Sequence, residues 1–509
     1  MDPFNKLPAE LRAEIIVSTR CPRTVLQLIQ ASPVMLRQYT ASKGYITRAM
    51  VASDFDDDMV QDALAIVLFP SRSSGDFATL VHFHCRAWAT RQLADPFRRP
   101  FHNSQDRDLI DKMSALYRTL MFFIGDYLTK ATACFPPREY LCLSTPAEPR
   151  LRFKGQAVSA RFNAALLAQA ERKGLLRAFM RYQLASLIGQ SVDEDIYDSL
   201  RDDALFQYNG RWFRQWELHA ILCVDQYLRC LYGAMFAHCG DSRLPDPATD
   251  SASSRPPGLL YPDNQYHDPN AYAHDMGCSH YWIASALAPH GFDLVATLLR
   301  SATAGPPARD RLRKWFVDYN PKGCFKSRVF DYISCVHDYL DEGNYYIDED
   351  HYYLDEGRAN DDLGEAYEND KKGPGMYQAL YRRLKKTKTL DDIYQQRAWP
   401  FLNNTRFYPD ESPGGGSYFP DEGEAWDMNH RNHKLDEGWH NVIQWGARAR
   451  YRGQRRHNEQ CETSSEKMEV GDPQDSELEK ECQVSLPDMV DGRPFPILRP
   501  FWQWDESSA

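Results

Sequence analysis

Apolar residues recur at intervals of three and four along most of the first 340 positions, which is the spacing of one buried face of an α-helix. The clearest runs cover residues 60–67, 77–88 and 109–124. No stretch of useful length alternates between apolar and polar residues as a half-buried β-strand does. The pattern therefore predicts an all-α protein.

Further helical runs are separated by proline-rich connections, which interrupt helices. We predict these additional helices near residues 158–172, 174–189, 195–206, 212–238, 291–303, 307–318, 328–340, 374–399 and 437–451.

Changes in composition divide the chain into five parts. We predict a three-helix unit at 1–52, a large irregular helical body at 53–337, an acidic low-complexity insertion at 338–372, C-terminal helices at 373–451 and a disordered tail at 452–509. The body includes a long proline-rich loop at 241–275, which is either a surface excursion or a mobile functional loop.

The N-terminal unit has clear helix signals. Pro8 suits a first helical turn, and Ser32 before Pro33 suits the N-cap of the third helix, with Met35, Leu36 and Tyr39 on its apolar side. Three helices of about ten residues cannot bury all their apolar side chains among themselves. The surplus must contact another helix, either from the body or from a partner.

Four short motifs follow one another in this unit: Leu7-Pro8-Ala9-Glu10-Leu11, Ile15-Ile16, Val25-Leu26-x-Leu28 and Ala31-Ser32-Pro33-Val34-Met35. Together they resemble the F-box of large fungal protein families. The resemblance implies a three-helix fold whose exposed apolar ridge binds the Skp-type adaptor, and through it the cullin, of an SCF (Skp–cullin–F-box) ubiquitin ligase. By position, it assigns the adaptor-facing and core roles to Leu7, Pro8, Leu11, Ile15, Ile16, Leu26 and Leu28.

The unit departs from the F-box pattern in two places. Ala31 stands where the family usually has valine, and the tryptophan that often follows is absent, with Tyr39 the nearest aromatic residue. Each change removes apolar area, and each is expected to weaken adaptor binding by ~1–2 kcal/mol.

Charge is distributed unevenly along the 509 residues. The net charge is −11, and residues 338–370, with thirteen acids and one base, account for −12 of it. Because the chain lacks a general basic field, we do not expect nucleic acid as a partner. A basic cluster at 382–388 is either a nuclear-import or nucleic-acid patch or a solvated helix face near the acidic insertion.

Twelve cysteines without any C-x-x-C pair indicate free thiols in a reducing compartment. Residues 1–10 lack the features of a secretory signal. The longest apolar run, near 120–125, is far shorter than the ~20 residues of a membrane-spanning helix. We expect a cytoplasmic or nuclear protein that does not contact a membrane.

Motifs for nucleophilic, nucleotide-binding or zinc-peptidase chemistry are absent from the sequence. His82 and His84 would lie about 200° apart on a helix, so they cannot share one ion. His274, Cys278 and His280 come closest to a zinc site, but four ligands are not present in that segment. We therefore expect no metal, no cofactor and no catalytic residue.

These observations favour a substrate-recruiting F-box subunit that binds a protein substrate of unknown identity and does no bond chemistry itself. One alternative is a structural or regulatory interaction protein whose F-box-like helices pack on its own body. Another is a helical enzyme with a site near Cys278 and His280. Exposure of Leu7, Leu11 and Ile15 discriminates between the first two. No leucine-rich, WD-type or kelch-type repeat indicates the substrate class.

Overall fold

A computed structural model gives the architecture of the chain. It describes residues 2–19, 22–71, 76–97, 104–134, 136–145, 148–191, 215–240, 267–270, 272–273, 276, 283–319, 373–381, 388–409, 419, 489–490 and 493–494. Within these ranges the protein is mostly helical, which confirms the predicted all-α fold class.

Several predictions lie outside the described residues. They concern the acidic insertion at 338–372, most of the 241–275 loop, the helices at 195–206, 328–340 and 437–451, nearly all of the tail at 452–509, the basic cluster at 382–387, and His274, Cys278 and His280.

The described helices are α1 (Ala9–Ser18), α2 (Pro22–Ala31), α3 (Pro33–Asp54), α4 (Asp57–Val67), α5 (Phe77–Ala89), α6 (Ser104–Ala131), α7 (Pro136–Tyr140), α8 (Gln169–Ser191), α9 (Gln215–Cys239), α10 (Ile283–Leu287), α11 (Gly291–Thr303), α12 (Pro306–Asp318), α13 (Gly375–Leu380) and α14 (Lys388–Gln396). Short 3-10 helices cover Pro3–Lys6, Ala164–Leu166, Ala288–His290 and Trp399–Phe401. The strands are β1 (Arg150–Phe153), β2 (Gln156–Ala160), β3 (Met489–Val490) and β4 (Arg493–Pro494).

The first two strands correct the expectation that no β-structure occurs. β1 and β2 pair in an antiparallel hairpin, and Lys154 and Gly155 connect them with φ angles of 49° and 80°. Two consecutive positive φ angles are typical of a type I′ turn, which suits the twist of a two-stranded hairpin. Leu151 and Phe153 face the core from β1. Four alternating residues are too few to stand out from helical periodicity.

Two predicted helix boundaries were also wrong. The separate helix expected near 158–172 does not form, because β2 and a 3-10 turn occupy most of that segment, and the helix expected at 174–189 begins earlier, at Gln169. At the start of α8, Glu171 accepts a hydrogen bond from the Ala168 backbone N–H at 2.8 Å, as the glutamate of a capping box does. The segment at 374–399 contains two helices, α13 and α14, and Ala398 adopts a left-handed conformation after the second.

The body has one large hydrophobic core with α9 at its centre. This helix is buried on nearly all sides, and it packs against α8, α11, α12 and α14. Burial on nearly all sides places this helix in the interior of the domain, where its polar residues Asp225 and Gln226 are buried too. Within the described part of the chain, no helix is long and apolar enough to span a bilayer.

A second, smaller core belongs to the N-terminal unit. Its buried members are Ala13, Ile16, Val25, Met35 and Ile46, and they come from α1, α2 and α3. Helix α3 belongs to both cores, because Ile46 lies in the small one and Val51 in the large one. The unit and the body are thus joined by a helix that contributes to both.

Candidate docking surface

The seven predicted ridge residues differ in how far their side chains are exposed to solvent. Leu11 and Leu26 are half exposed to solvent, at 52% and 50% of their surface. Ile15 and Leu28 are partly buried against the small core, and Ile16 is completely buried within it. The remaining two, Leu7 and Pro8, are partly buried and exposed, respectively. Ile16 therefore has a core role, and only part of the set faces solvent.

Pro8 lies one position earlier in helix α1 than the sequence suggests. It is the N-cap residue, in an extended conformation, and the helix begins at Ala9. Since proline lacks the N–H that a first helical turn leaves unpaired, this position suits it equally well.

The unit exposes a third leucine, which the sequence pattern places on the apolar side of α3. Leu36, in the first turn of α3, is 47% exposed, whereas its neighbour Met35 is completely buried. Periodicity predicts which residues share the apolar side of a helix, but it does not predict which of them a neighbouring helix covers. Exposed leucines thus occur on all three helices of the unit.

Asp2 fastens the N-terminus to the start of α3. Its carboxylate accepts hydrogen bonds from the Ser32 hydroxyl at 2.6 Å, the Phe4 N–H at 2.9 Å and the Val34 N–H at 3.4 Å. The hydrogen bond from Ser32 lowers the pKa of the Asp2 carboxyl. Ser32 Oγ in turn accepts from the Met35 N–H at 3.1 Å, which confirms Ser32 as the N-cap of α3. We call this group of hydrogen bonds the Asp2 clasp.

The other end of α3 is anchored in the body. Asp54 accepts a hydrogen bond from the Tyr117 hydroxyl at 2.6 Å and forms an ion pair with Arg172 at 3.4 Å. Arg48 donates to the Phe97 carbonyl oxygen at 2.7 Å. Because Asp54, Tyr117 and Arg172 are all buried, these polar contacts tolerate little variation in geometry.

Ion pairs along α8 continue this anchorage. Arg177 lies 2.8 Å from Asp56, the N-cap of α4, and Arg181 lies 3.0 Å from Glu217 on α9. Helix α8 therefore connects the start of α4 to the centre of the body through its basic side chains.

A buried cluster of polar side chains inside the body is centred on Asp126 of α6. Its carboxylate accepts from the Ser144 hydroxyl, from Arg161 at 2.9 Å and from the Tyr227 hydroxyl at 2.8 Å, and it pairs with Lys130 at 2.9 Å. Burial opposes ionisation, but Lys130 and Arg161 outweigh it and lower the pKa of Asp126. We interpret this cluster as structural, because Tyr227, Ser144 and Arg161 connect α6 to α9 and to the neighbouring loops.

Histidines singled out in the sequence have ordinary structural roles where they are described. His84 contacts the Ala65 carbonyl oxygen at 2.8 Å, and its ring lies against Phe69 at 5.6 Å. His82 is only partly buried on the same helix. Among the side chains that the structure describes, no three histidine, cysteine or acidic residues converge as metal ligands do.

Comparisons of the chain with protein-family models, with curated proteins and with solved structures find no match.

Proposed function

We propose that the chain is a substrate-recruiting subunit of an SCF-type ubiquitin ligase. In this proposal the N-terminal unit binds a Skp-type adaptor, and through it a cullin, while the body holds a protein substrate. The subunit would act by proximity, since holding two reactants together raises their effective concentration without any bond chemistry of its own.

The observation that supports this proposal best is the exposure of Leu11 and Leu26 on a unit that has its own core. Large apolar side chains on successive helices that pack into the same unit are what a helix-binding partner requires. If the body covered these leucines, as in the alternative of a self-packed interaction protein, they would be buried. They are instead about half exposed. Of the three residues that the sequence analysis chose to discriminate between the two hypotheses, Leu11 is exposed, whereas Leu7 and Ile15 are partly buried.

The anchorage of α3 suits a proximity mechanism. A partner bound to the unit keeps a defined position relative to the body, because α3 shares residues with both cores and ends at the buried Asp54 contacts. A flexible connection would lower the effective concentration by spreading the bound partners over a larger volume.

Co-purification with a Skp-type adaptor tests the proposal. The chosen variant is Leu11→Asp/Leu26→Asp, since both side chains are exposed and a carboxylate at either position leaves the small core intact. Leu166→Asp, at a leucine of the body that is 60% exposed, is the matched control. We expect the wild type and the control to retain the adaptor and the double variant to lose it.

Two results would contradict the proposal. If a folded wild-type chain does not retain the adaptor, the interaction-protein alternative is favoured and Ala31 and the missing tryptophan explain the loss. If the double variant retains the adaptor as well as the control does, binding occurs elsewhere and the F-box resemblance has no functional meaning.

A further inference from the structure

The hairpin of β1 and β2 exposes basic side chains to solvent. Residues 150–160 contain three basic residues and no acidic one. Exposed and buried side chains alternate along β1, and Arg150 and Arg152 are the exposed ones, so both lie on the outer face of the hairpin. Lys154, the first residue of the turn, is exposed at the end of the same strand. We call Arg150, Arg152 and Lys154 the basic face.

The neighbours of the two arginines on the hairpin compensate little of this charge. Arg150 lies opposite Ala160 and Arg152 lies opposite Ala157, and both alanines are exposed. Cross-strand neighbours are the closest side chains on one face of a sheet, and alanine offers no carboxylate. Glu148 pairs with Arg152 at 3.8 Å, but both side chains are more than a third exposed, so solvent weakens the pair. With Glu148 included, the hairpin still carries a net charge of +2.

The acidic segment at 338–370 is complementary in charge to the basic face and belongs to the same chain. Its thirteen acidic residues and one basic residue give it a charge of −12. Because the two are covalently linked, contact between them is intramolecular and takes place at a high effective concentration. A nucleic acid or an acidic protein would have to displace the segment from the basic face, and the segment's own charge would repel it.

The acidic segment is followed in the chain by residues that pack beside the base of the hairpin. Asp370, its last acidic residue, precedes Met376 by six residues, and the Met376 N–H donates to the Leu402 carbonyl oxygen at 3.1 Å. Five residues after Leu402, the ring of Phe407 lies 5.0 Å from that of Phe162, which follows the end of β2 by two residues. A fully extended run of 33 residues spans roughly 110 Å, so the segment is long enough to reach the hairpin from this anchor.

Two other basic groups lie near the acidic segment in the chain. The cluster at 382–388 has five basic residues, fewer than half of what would neutralise the segment, so most of the acids remain for another surface. On α12, exposed Arg311 and Lys314 are accompanied by exposed Asp310 and Asp318, so the exposed charges of that helix are balanced. The hairpin differs from α12 because its exposed charges have one sign except at Glu148.

We infer that the basic face binds carboxylates of the acidic segment at 338–370 of the same chain. Two guanidinium groups on one side of a strand repel each other, and a carboxylate between them removes this repulsion and accepts hydrogen bonds from their N–H groups. A single exposed ion pair contributes little, so the contact depends on several charges together and on the salt concentration. The inference does not depend on the proposed ligase role, because adaptor binding concerns the N-terminal unit.

Zero-length cross-linking of the full chain tests the inference. A water-soluble carbodiimide activates a carboxylate, Nζ of Lys154 attacks it and displaces a urea, and an amide bond then joins two side chains that were in contact. At low salt we expect mass spectrometry to find Lys154 coupled to acidic residues of 338–370, in a product of monomer mass. Coupling should fall by roughly tenfold at about 500 mM NaCl, because salt screens exposed charges.

Three variants make the result specific to charge on the hairpin. Arg150→Glu/Arg152→Glu keeps the Lys154 amine and should lower its coupling to the segment by roughly tenfold. Arg150→Lys/Arg152→Lys keeps all three charges and should retain this coupling, with further coupling at positions 150 and 152. Arg311→Glu/Lys314→Glu makes the same change in net charge on α12 and should leave the coupling of Lys154 unchanged. Since all four side chains are exposed, melting temperatures should stay at the wild-type value.

Four results would overturn the inference. The first is the absence of coupling between Lys154 and the segment in the wild type, or equal coupling in the Arg150→Glu/Arg152→Glu variant. The second is coupling only in a product of dimer mass, which would assign the basic face to the segment of a second copy. The third is coupling of the segment to Lys385 or Lys386 without Lys154, which would assign it to the cluster at 382–388. The fourth is an oligonucleotide that binds the wild type but not the charge-reversed variant while Lys154 stays uncoupled, which would assign the face to nucleic acid.

Discussion

Tyr117 on α6 donates its hydroxyl hydrogen to Oδ2 of Asp54, the last residue of α3, over 2.6 Å. This contact connects a helix of the body to the helix that carries the N-terminal unit. Both side chains are buried, so water cannot replace the bond if it is lost. The attachment of the unit to the body therefore depends on a polar contact as well as on apolar packing.

Removing the Tyr117 hydroxyl is expected to destabilise the protein. Tyr117→Phe leaves Asp54 with Arg172 at 3.4 Å, and a buried acceptor that loses its main donor costs about 1–3 kcal/mol. Asp54→Ala should cost more, about 3–5 kcal/mol, because it leaves the buried Arg172 without its carboxylate. Urea denaturation measures both. A Tyr117→Phe change of less than about 0.5 kcal/mol, below the usual net contribution of a hydrogen bond, would show that the bond is not stabilising.

Substitution of alanine for a glycine should destabilise the protein at Gly233 and stabilise it at Gly125. A Cβ on Gly233 of α9 would lie 2.6 Å from the Pro269 carbonyl oxygen and 2.9 Å from His267 Nε2. This overlap should outweigh the gain in helix propensity, so Gly233→Ala is expected to destabilise by about 1–2 kcal/mol.

Gly125 on α6 is the matched control, since a Cβ there would meet nothing within 4 Å. Gly125→Ala is expected to stabilise the protein by about 0.5–1 kcal/mol through helix propensity alone. Thermal and urea denaturation of the two variants give the signs. A stabilising Gly233→Ala would mean that the segment containing Pro269 does not pack closely on α9.

Stability should fall in mild acid because of a buried histidine. The ring of His267 stacks with Tyr140 at 6.4 Å and with Tyr272 at 6.5 Å, and burial, assisted by Lys130, lowers its pKa to about 3. In the unfolded chain this histidine takes up a proton below pH 6.5, its ordinary pKa, whereas in the folded chain it stays neutral until about pH 3. The contribution of neutral, buried His267 to the free energy of unfolding is therefore present in full above pH 6.5 and is lost progressively as the pH falls towards 3.

His267→Phe keeps an aromatic ring at this position and removes the titration. Its free energy of unfolding should decline less steeply than that of the wild type between pH 6.5 and 4, by up to about 1.4 kcal/mol per pH unit. Burial raises the pKa of Asp62, which acts in the opposite direction but is common to both proteins. Parallel pH profiles of urea unfolding would contradict the prediction.

Alanine substitutions at Ile16 and Leu11 should have very different effects on stability, although both residues belong to the predicted ridge. Ile16 is completely buried in the small core, and Ile16→Ala is expected to cost about 2–4 kcal/mol. Leu11 is half exposed, and Leu11→Ala should change stability by no more than about 0.5 kcal/mol. Hydrogen exchange of the N-terminal helices measures the difference locally. Equal effects would mean that Leu11 is covered in solution.

Much of the helical framework could be predicted because its signals are local. Ser32 before Pro33 marks the start of α3, and the runs at 60–67, 77–88 and 109–124 all lie in helices. The hairpin at β1 and β2 was missed, because strands of four and five residues are too short for their alternation to stand out from helical periodicity. Leu36 and Met35 both belong to the predicted apolar side of α3, but only Met35 is buried, because which of the two is covered depends on where α1 and α2 pack.

The sequence by itself determined the all-α class, the positions of most helices and the surplus of apolar residues in the N-terminal unit, since periodicity and capping depend on neighbours a few residues apart. Only the tertiary structure decided which of those apolar residues remain exposed. It also decided that Asp2 bonds Ser32 from 30 residues away and that Tyr117 bonds Asp54 from 63 away. Burial and long-range hydrogen bonds depend on how the helices pack, and no local pattern records that arrangement.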